Sequence, residues 1–421
     1  MSDCLVFLTK VFPFDKGEEF IEDEVLMLSK SFKKVIIIAT STSDDAVQTR
    51  TTPENFEIYR INASTVKHKL PLSAMKLFPF YSYKGCMTQR ESVEIKGSLK
   101  KRAYLTYFIS KANIVFEETK KILDKCDLPQ HDKVIFYSYW FYDIALAAVK
   151  LRDYFNIDKK SAISRAHGYD IYTYRNSTNY LPLREYLLKN IDKVYTCSKN
   201  GRDYLKNLYP GYDDKIEVAY LGSRDHGIKL VEEGHIFHIV SCCHISPVKR
   251  MDLLAKSLAT LKDSGLELKW THFGGGDGLE ELKEYSKENL SFMEVNFAGS
   301  VKNAELMEYY QKEIVDLFVN TSSSEGLPVS IMEACSFGIP SIATNVGGTS
   351  EIVKDGETGF LLDANFELKY LGEKIKYMCE LSKEEKQALR ERCRNLWMED
   401  FCAENNFARF SQDIKELQKN Y

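Results

Sequence analysis

The sequence predicts two doubly wound α/β domains in tandem, and three observations carry that expectation. Short apolar runs alternate with longer stretches of helical periodicity, the β-α-β rhythm of a parallel sheet covered on both faces. The rhythm breaks once, at the polar, glycine-containing stretch GSRDHGIKLVEEG (222–234), and then restarts. A chain of 421 residues is too long for one ordinary core and divides naturally into two domains of about 200 residues.

In the first half, CLVFLT (4–9), KVIIIAT (34–40), KVIFYSY (133–139), SAISRAH (161–167), KVYTCS (193–198) and KIEVAYL (215–221) read as buried strands. Each is too short for a helix and rich in branched or aromatic residues. Helical patterns at 18–30, 111–125, 143–155 and 199–208 lie between them. After the linker, HIFHIVSCC (235–243), LELKWTHFG (266–274), VNFAG (295–299), DLFVNTS (316–322) and PSIAT (340–344) are the expected strands. Helices are expected at 249–262, 278–287, 303–311 and 328–337. Pro328 suits a first helical turn, and Gly338 with Pro340 ends that helix. The last fifty residues read as charged helix carrying an aromatic patch, NLWMEDFCAENNFARF (395–410). The expected domains are 1–222 and 230–399, with a final helix at about 400–421.

The bulk composition excludes several classes. Net charge is −4, so there is no global case for nucleic acid. Ten cysteines without C-x-x-C spacing read as buried thiols of a reduced, intracellular protein. The apolar run Cys4–Leu8 is too short for a signal peptide core. No window approaches the roughly 18 apolar residues of a membrane span. The expected location is the cytoplasm, or the inner face of the plasma membrane through surface contact alone.

In open α/β sheets, ligands bind beyond the carboxyl ends of the strands, so the loops that follow strands carry the argument. One is TSSSEGLPVSIMEACSFGIPSIATNVGGTSEIV (321–353). Glu325 lies in the loop after a strand, and Glu333 lies about five residues into the helix, some 7–8 Å along its axis. Ionised carboxylates only accept hydrogen bonds, so the pair suits the hydroxyl-rich parts of a ligand. Otherwise it is one capping residue and one solvated helix residue. In SCCHISPVKRMDLLAKSL (241–258), Lys249 sits where a loop meets a helix N-terminus, and both attract a diphosphate. SRAHGYDIY (164–172) ends a strand at His167-Gly168, with Arg165 on the same strand face and so expected to line the ligand site as well. In VFPFDKGEEFIEDEV (11–25), Gly17 allows close backbone approach to a ligand. Glu18 and Glu19 there are either acceptor-contacting groups or first-turn glutamates favoured by the helix dipole. FGGGDGLEEL (273–282) is not a dinucleotide fingerprint, because it lies in the second domain with no acidic residue at the later strand end. His235 and His238, three apart in an expected strand, point to opposite faces and do not make a metal site.

The spacing Glu-Gly-Leu-Pro…Glu, with GG-x-x-E-I-V and G-x-x-G-F-L-L after it, resembles the EX7E signature of retaining GT-B glycosyltransferases of family 4. The resemblance covers nearly the whole chain and is strongest over 240–362. It implies two Rossmann-like domains facing across a cleft, with the C-terminal helix crossing back to the first. It implies transfer of a sugar from a nucleotide-sugar to an acceptor hydroxyl with retained configuration, by same-face attack assisted by the departing phosphate. Glu325 would then contact the donor sugar and Glu333 the ribose. Gly326, Leu327, Gly347 and Gly348 would line the donor site, and Val301, in FAGSV (297–301), would belong to the loop that reads the base. Lys249 matches the lysine of the family's diphosphate grip, R-L-x-P-x-K-G. His244 stands where that motif has arginine, so protonated His244, Arg250 or another cation is the candidate for the missing charge. His167, in an H-G-x-D segment, would lie beside the reacting carbon. Gly17 and Glu18 would belong to the loop over the acceptor and phosphates. No cofactor or metal is expected, since no D-x-D is present and a lysine with helix termini can stabilise the leaving diphosphate.

The implied donor is a uridine-diphosphate sugar, with guanosine sugars second. The implied acceptor is a lipid-linked or surface-polysaccharide glycan. Residues 64–111 hold ten Lys or Arg against two acids, interleaved with Phe78, Phe80, Tyr81, Tyr83, Tyr104, Tyr107 and Phe108. They read either as a solvated insertion or as a surface for anionic membrane or a lipid-pyrophosphate acceptor. The rival readings are a non-catalytic nucleotide-sugar-binding scaffold and a nucleotide-sugar epimerase on the same fold.

Overall fold

A computed structural model describes residues 3–76, 85–126, 128, 133–229 and 234–417. The chain divides into two compact units, Met1–Leu221 with Phe407–Tyr421, and Gly222–Asn406.

The first unit contains, in chain order, β1 (Asp3–Thr9), α1 (Ile21–Ser31), β2 (Lys34–Thr42), β3 (Phe56–Asn62), α2 (Ala63–Lys76), α3 (Gln89–Glu94) and α4 (Leu99–Leu123). It continues with β4 (Lys133–Ser138), α5 (Asp143–Tyr154), β5 (Lys159–Ala166), α6 (Gly168–Ile171), α7 (Arg184–Asn190), β6 (Lys193–Thr196), α8 (Lys199–Leu208) and β7 (Ile216–Val218). Among the described residues its sheet has seven strands in the order β3-β2-β1-β4-β5-β6-β7, all parallel. The central strands are buried on both faces, which is why β1, β2 and β4 read as unbroken apolar runs. The strand order reverses between β1 and β4, and the loops after those two strands diverge there to leave a binding crevice.

The second unit contains β8 (Phe237–Cys242), α9 (Met251–Ala259), β9 (Leu268–Phe273), α10 (Leu279–Asn289), β10 (Glu294–Gly299), α11 (Asn303–Lys312), β11 (Leu317–Asn320) and α12 (Val329–Ser336). After these come β12 (Ser341–Thr344), α13 (Thr349–Ile352), β13 (Gly359–Leu362), α14 (Leu368–Glu380), α15 (Lys383–Asp400) and α16 (Ala403–Glu416), the last of which runs on into the first unit. Its six described strands are ordered β10-β9-β8-β11-β12-β13 and are parallel. Here the order reverses between β8 and β11.

The structure departs from the sequence reading in places with physical causes. β3 has a mostly half-exposed pattern, because it is an edge strand and shows neither a solid apolar run nor clean alternation. The helix expected from 18 begins at Ile21, since Glu18 adopts a left-handed backbone (φ 59°). The helix expected from 249 begins at Met251 for the same reason, at Arg250 (φ 49°).

The basic stretch 64–111 is built into the unit. Val66, Ile95, Leu105, Phe108 and Ile109 are buried in its cores. Lys69, Lys101 and Lys111 pair with Glu118, Glu94 and Asp143, so much of the local charge is neutralised. Phe78, Phe80, Tyr81 and Tyr83 lie outside the described residues.

The aromatic patch near the C-terminus is divided. Trp397 is buried in the second unit, where its indole N–H donates to Ser223 Oγ (2.8 Å). Phe410 and Ile414 complete a core of the first unit beside Phe7, Tyr137 and Tyr195. Arg165 lies against that helix. Expected to face a ligand, it is instead fully buried. Its guanidinium meets Glu24 (3.1 Å), donates to Tyr137 Oη and the Ala219 carbonyl, and stacks over Phe410 at 4.2 Å. Tyr137 in turn donates to Glu24 (2.6 Å). Burial raises the Glu24 carboxyl while the guanidinium opposes that shift.

Removing one partner of a buried pair leaves an uncompensated charge, which costs about 3–5 kcal/mol. Glu24→Ala should therefore lower unfolding free energy by that amount in urea titration. A loss no larger than that of an exposed glutamate such as Glu280 would show that the pair does not brace the core.

Candidate functional site

In the second unit, the loops after β8 and β11 meet at the strand-order reversal and are bound tightly to each other. Ser323 N–H donates to the Val248 carbonyl (2.7 Å), and Thr321 Oγ1 donates to the carbonyls of Lys249 and Arg250 (3.1 and 3.0 Å). Arg250 returns the contact, donating to the carbonyls of Thr321 (2.7 Å), Ser322 (3.1 Å) and Ala364 (2.5 Å). Its guanidinium is thereby committed to the protein. Arg250 was a candidate to grip the donor's phosphates; instead it satisfies loop carbonyls that have no strand partner.

With the loops fixed, Lys249 and Glu325 face each other. Lys249 Nζ lies 2.6 Å from Glu325 Oε1, which also accepts from Asn320 Nδ2 (3.2 Å). Glu325 is 9% exposed and the Lys249 side chain 27%, so the pair is sheltered yet reachable. Gly347 and Gly348 press the loop after β12 onto the Glu325 backbone. Gly348 N–H donates to the Gly326 carbonyl (2.7 Å). A Cβ on Gly347 (φ 58°) would lie 2.0 Å from the Glu325 carbonyl oxygen, so only glycine permits this approach. Leu327 is buried beneath.

Glu333, on α12, is half-buried and accepts from Asn303 Nδ2 (2.7 Å) at the start of α11. Burial pushes its carboxyl up to about 7, and the Asn303 hydrogen bond opposes the shift. Val301, in the loop leading to Asn303, is 37% exposed. His244 is exposed on the Lys249 loop. The glycines of 273–278 fold the loop after β9 against the loop after β8. Cys243 N–H donates to the Phe273 carbonyl and Ile245 N–H to the Gly275 carbonyl. Two cavities in this unit, of about 320 Å³ beside α10 and about 190 Å³ beside α15, are lined by none of these residues.

The first unit has its own constellation at the β1/β4 reversal. His167 follows β5, is 8% exposed, and packs against the rings of Trp140 (4.7 Å), Tyr139 (4.8 Å) and Phe20 (5.8 Å between centroids). Burial, then the nearby Arg165 charge, depresses its pKa to about 3, so the ring is neutral; a hydrogen bond to the Tyr139 backbone opposes this. Its Nε2 has no hydrogen-bond partner among the described residues. Asp170 fixes the main chain here, accepting from His167 N–H (2.5 Å) and Phe141 N–H (2.7 Å). Its own carboxyl is raised to about 7 by burial, against the nearby Arg184 charge.

Glu18 was expected to face a ligand or the helix dipole. It is 5% exposed and turned inward. Its two oxygens accept from the backbone N–H groups of Lys10, Val11 and Phe12 (2.9, 2.7 and 2.8 Å) and from the Trp140 indole (2.6 Å). Gly17 (φ 107°) makes the preceding turn, and its carbonyl accepts from Arg50 (2.8 Å).

Sequence reasoning missed Asn303, Asn320, Tyr139, Trp140 and Asp170. The run YSYWFY (137–142), five aromatics in six residues across the end of β4 and the loop after it, was the available signal. His235 and His238 do not lie in one strand. β8 begins at Phe237, so His235 lies outside it; its Nε2 meets Asp316 at 2.8 Å, whereas the His238 imidazole meets the Ile314 carbonyl (3.0 Å) and Thr271 Oγ1 (2.9 Å), so the two rings do not share partners. No group of three His, Cys, Asp or Glu that could hold a metal occurs among the described residues.

Residues 229–396 match the family model of Glycosyl transferases group 1. The O-antigen biosynthesis glycosyltransferase WbnH of Escherichia coli is 32% identical over 128 residues, which are 28% of this chain and 34% of that protein. The chain thus spans about a third of the length of this curated relative. Sucrose-phosphate synthase from Thermosynechococcus elongatus superposes with a TM-score of 0.72 at 15% identity, covering 100% of both chains. The Anabaena protein Alr3699/HepE, solved in complex with UDP and glucose, superposes with a TM-score of 0.63 at 14% identity, covering 98% of this chain and 99% of that one. The fold is the GT-B architecture of these neighbours.

The raised Glu333 carboxyl has a measurable consequence. A folded-state pKa above the unfolded one means that the folded protein holds the extra proton. Its stabilising contribution is complete below about 4.5, the ordinary glutamate range, and is lost as pH rises through about 7. The stability of Glu333→Gln relative to the parent chain should therefore rise with pH across that window and level off above it. Thermal unfolding at a series of pH values checks this, and a flat difference would mean that Glu333 titrates normally.

Proposed function

We propose that this chain is a glycosyltransferase that moves a sugar from a nucleotide-sugar, a uridine-diphosphate sugar in the first instance, to an acceptor hydroxyl with retained configuration. The observation that carries the reading is the sheltered Lys249–Glu325 pair, with Glu333 eight residues further on, at the strand-order reversal of the second unit. Without a ligand, each charge neutralises the other. A nucleotide-sugar offers a partner to both: its diphosphate to the ammonium, and its sugar hydroxyls to the carboxylate, which accepts hydrogen bonds only. Glu333, when ionised, accepts from ribose hydroxyls, with Val301 in the base-side loop.

Lys249 then balances the charge that grows on the leaving diphosphate, a stabilisation worth most where water is excluded. The glycosyl centre becomes oxocarbenium-like, and in the same-face route the departing phosphate takes the acceptor's proton. Neither cofactor nor metal has a part in this scheme. The match to Glycosyl transferases group 1 and the name of the O-antigen relative support glycosyl transfer and favour a glycan acceptor.

Contact with an anionic membrane belongs to the same reading. Leu72, Met75, Val93, Leu99 and Tyr107 are exposed large apolar side chains, and Lys96 and Lys100 are exposed near them in sequence. No helix among the described residues is long and apolar enough to cross a bilayer, so attachment would be at the surface. Vesicles with anionic lipid should sediment the protein at low salt and release it at high salt.

A second reading, a nucleotide-sugar-binding scaffold without catalysis, is favoured by one feature: His244 in place of the usual arginine. The test is titration with UDP-glucose, UDP-galactose, UDP-N-acetylglucosamine and GDP-mannose separately, following thermal shift and release of nucleoside diphosphate. Stabilisation with slow hydrolysis supports the transferase. Stabilisation without turnover, even with glycan acceptors, supports the scaffold, and a changed sugar with no acceptor present would make the chain an epimerase.

The two glutamates should separate in kind. Glu325→Ala should lose turnover by about 100-fold or more, as expected when a charge-stabilising group is removed, and keep its affinity for free nucleoside diphosphate. Glu333→Ala should weaken that affinity as well. Calorimetry together with turnover measurements checks both, and the reverse pattern would refute the assignment.

A further inference from the structure

We infer that Trp140 is a substrate-contacting residue of the first unit, its indole face and His167 together receiving a sugar ring, and that Glu18 is the positioning residue that holds the indole there. The inference rests on the proposed glycosyl transfer for the identity of the substrate.

The hydrogen bonds of His167 define what it can bind. Its Nε2 is buried and has no hydrogen-bond partner among the described residues, and a hydroxyl, which can donate or accept, is the kind of group it lacks. The neighbouring Arg165 charge and the burial keep the ring neutral. A neutral ring with an unpartnered nitrogen suits an uncharged hydroxyl group.

Trp140 supplies the complement. It is half-buried, with its ring centroid 4.7 Å from that of His167. Its only polar atom is already committed to Glu18 at 2.6 Å. What it can offer a ligand is a flat apolar face, which suits the C–H side of a pyranose ring. A hydroxyl edge at His167 and a C–H face at Trp140 are the two surfaces that a sugar presents.

Two buried carboxylates anchor the segment that carries Trp140. Glu18 takes the indole N–H together with three backbone N–H groups of the loop after β1. Asp170 takes Phe141 N–H together with His167 N–H. The loops after β1, β4 and β5 are thus locked to one another through side-chain oxygens. Glu18 has no remaining contact to make with substrate, and it acts through Trp140.

A double-mutant cycle tests this. Trp140→Phe keeps an aromatic ring and removes the N–H. Glu18→Gln keeps the shape and turns an amide N–H₂ toward four donors. Each should raise the acceptor KM about tenfold and leave the affinity for UDP unchanged, and the double variant should be no worse than Glu18→Gln alone. Additive losses, or an unchanged acceptor KM in Trp140→Ala, would overturn the inference.

If the parent chain turns over no sugar nucleotide, the transferase reading fails on its own, and binding decides the present inference separately. Methyl glucoside, galactoside and mannoside at high concentration should change tryptophan emission in the parent chain and not in Trp140→Phe, because Trp270 and Trp397 are fully buried. No change with any of the three would overturn it.

Discussion

A loop that follows a parallel strand leaves the sheet with unpaired N–H and C=O groups, and any that are buried must find partners. In this protein the partners at both strand-order reversals are charged side chains. Glu18 and Asp170 collect N–H groups in the first unit, and Arg250 collects carbonyls in the second. Arg250 carries the charge opposite to the dipoles it meets, which makes its hydrogen bonds stronger than neutral ones. The same bonds fix where His167, Trp140, Lys249 and Glu325 sit. Rigidity at the candidate sites therefore comes from acidic and basic side chains that are taken up by the protein's own backbone.

The residues that remain available differ in electrostatic character between the units. In the second, an ammonium and a carboxylate face each other, beside a carboxyl whose pKa lies near neutrality. In the first, the available group is an imidazole kept neutral over a buried arginine. The second unit is thus suited to an anionic, hydroxylated ligand, and the first to an uncharged one. The proposed nucleotide-sugar and glycan acceptor would divide along the same line.

The central strands were legible because burial on both faces leaves only apolar residues there, and the fold class follows from their alternation with helices. β3 was illegible because an edge strand keeps one side in water. At the candidate sites, Lys249, Glu325 and Glu333 were readable from motif spacing, and the structure brings Lys249 and Glu325 into contact. Direction was not readable. Glu18, Arg165 and Arg250 each turn away from the surface where a charged loop or strand-end residue is expected, because distant partners claim them: Trp140, Glu24 and the carbonyls of Thr321, Ser322 and Ala364. Trp140 was hidden for a related reason, since an aromatic after a buried strand reads as core until its position beside His167 is known.

Phe410 and Ile414 belong to the core that also contains Phe7 and Tyr137. Phe7 and Phe410 are made some four hundred positions apart, with the whole second unit between them. On the ribosome, synthesis at about 5–20 residues per second leaves the first unit incomplete for tens of seconds. During that time the surface later covered by α16 is exposed, and the buried Arg165 lacks its aromatic neighbour. The second unit, whose elements end by Asn406, is complete first. The half of the chain that emerges earlier is thus the half that completes its core later.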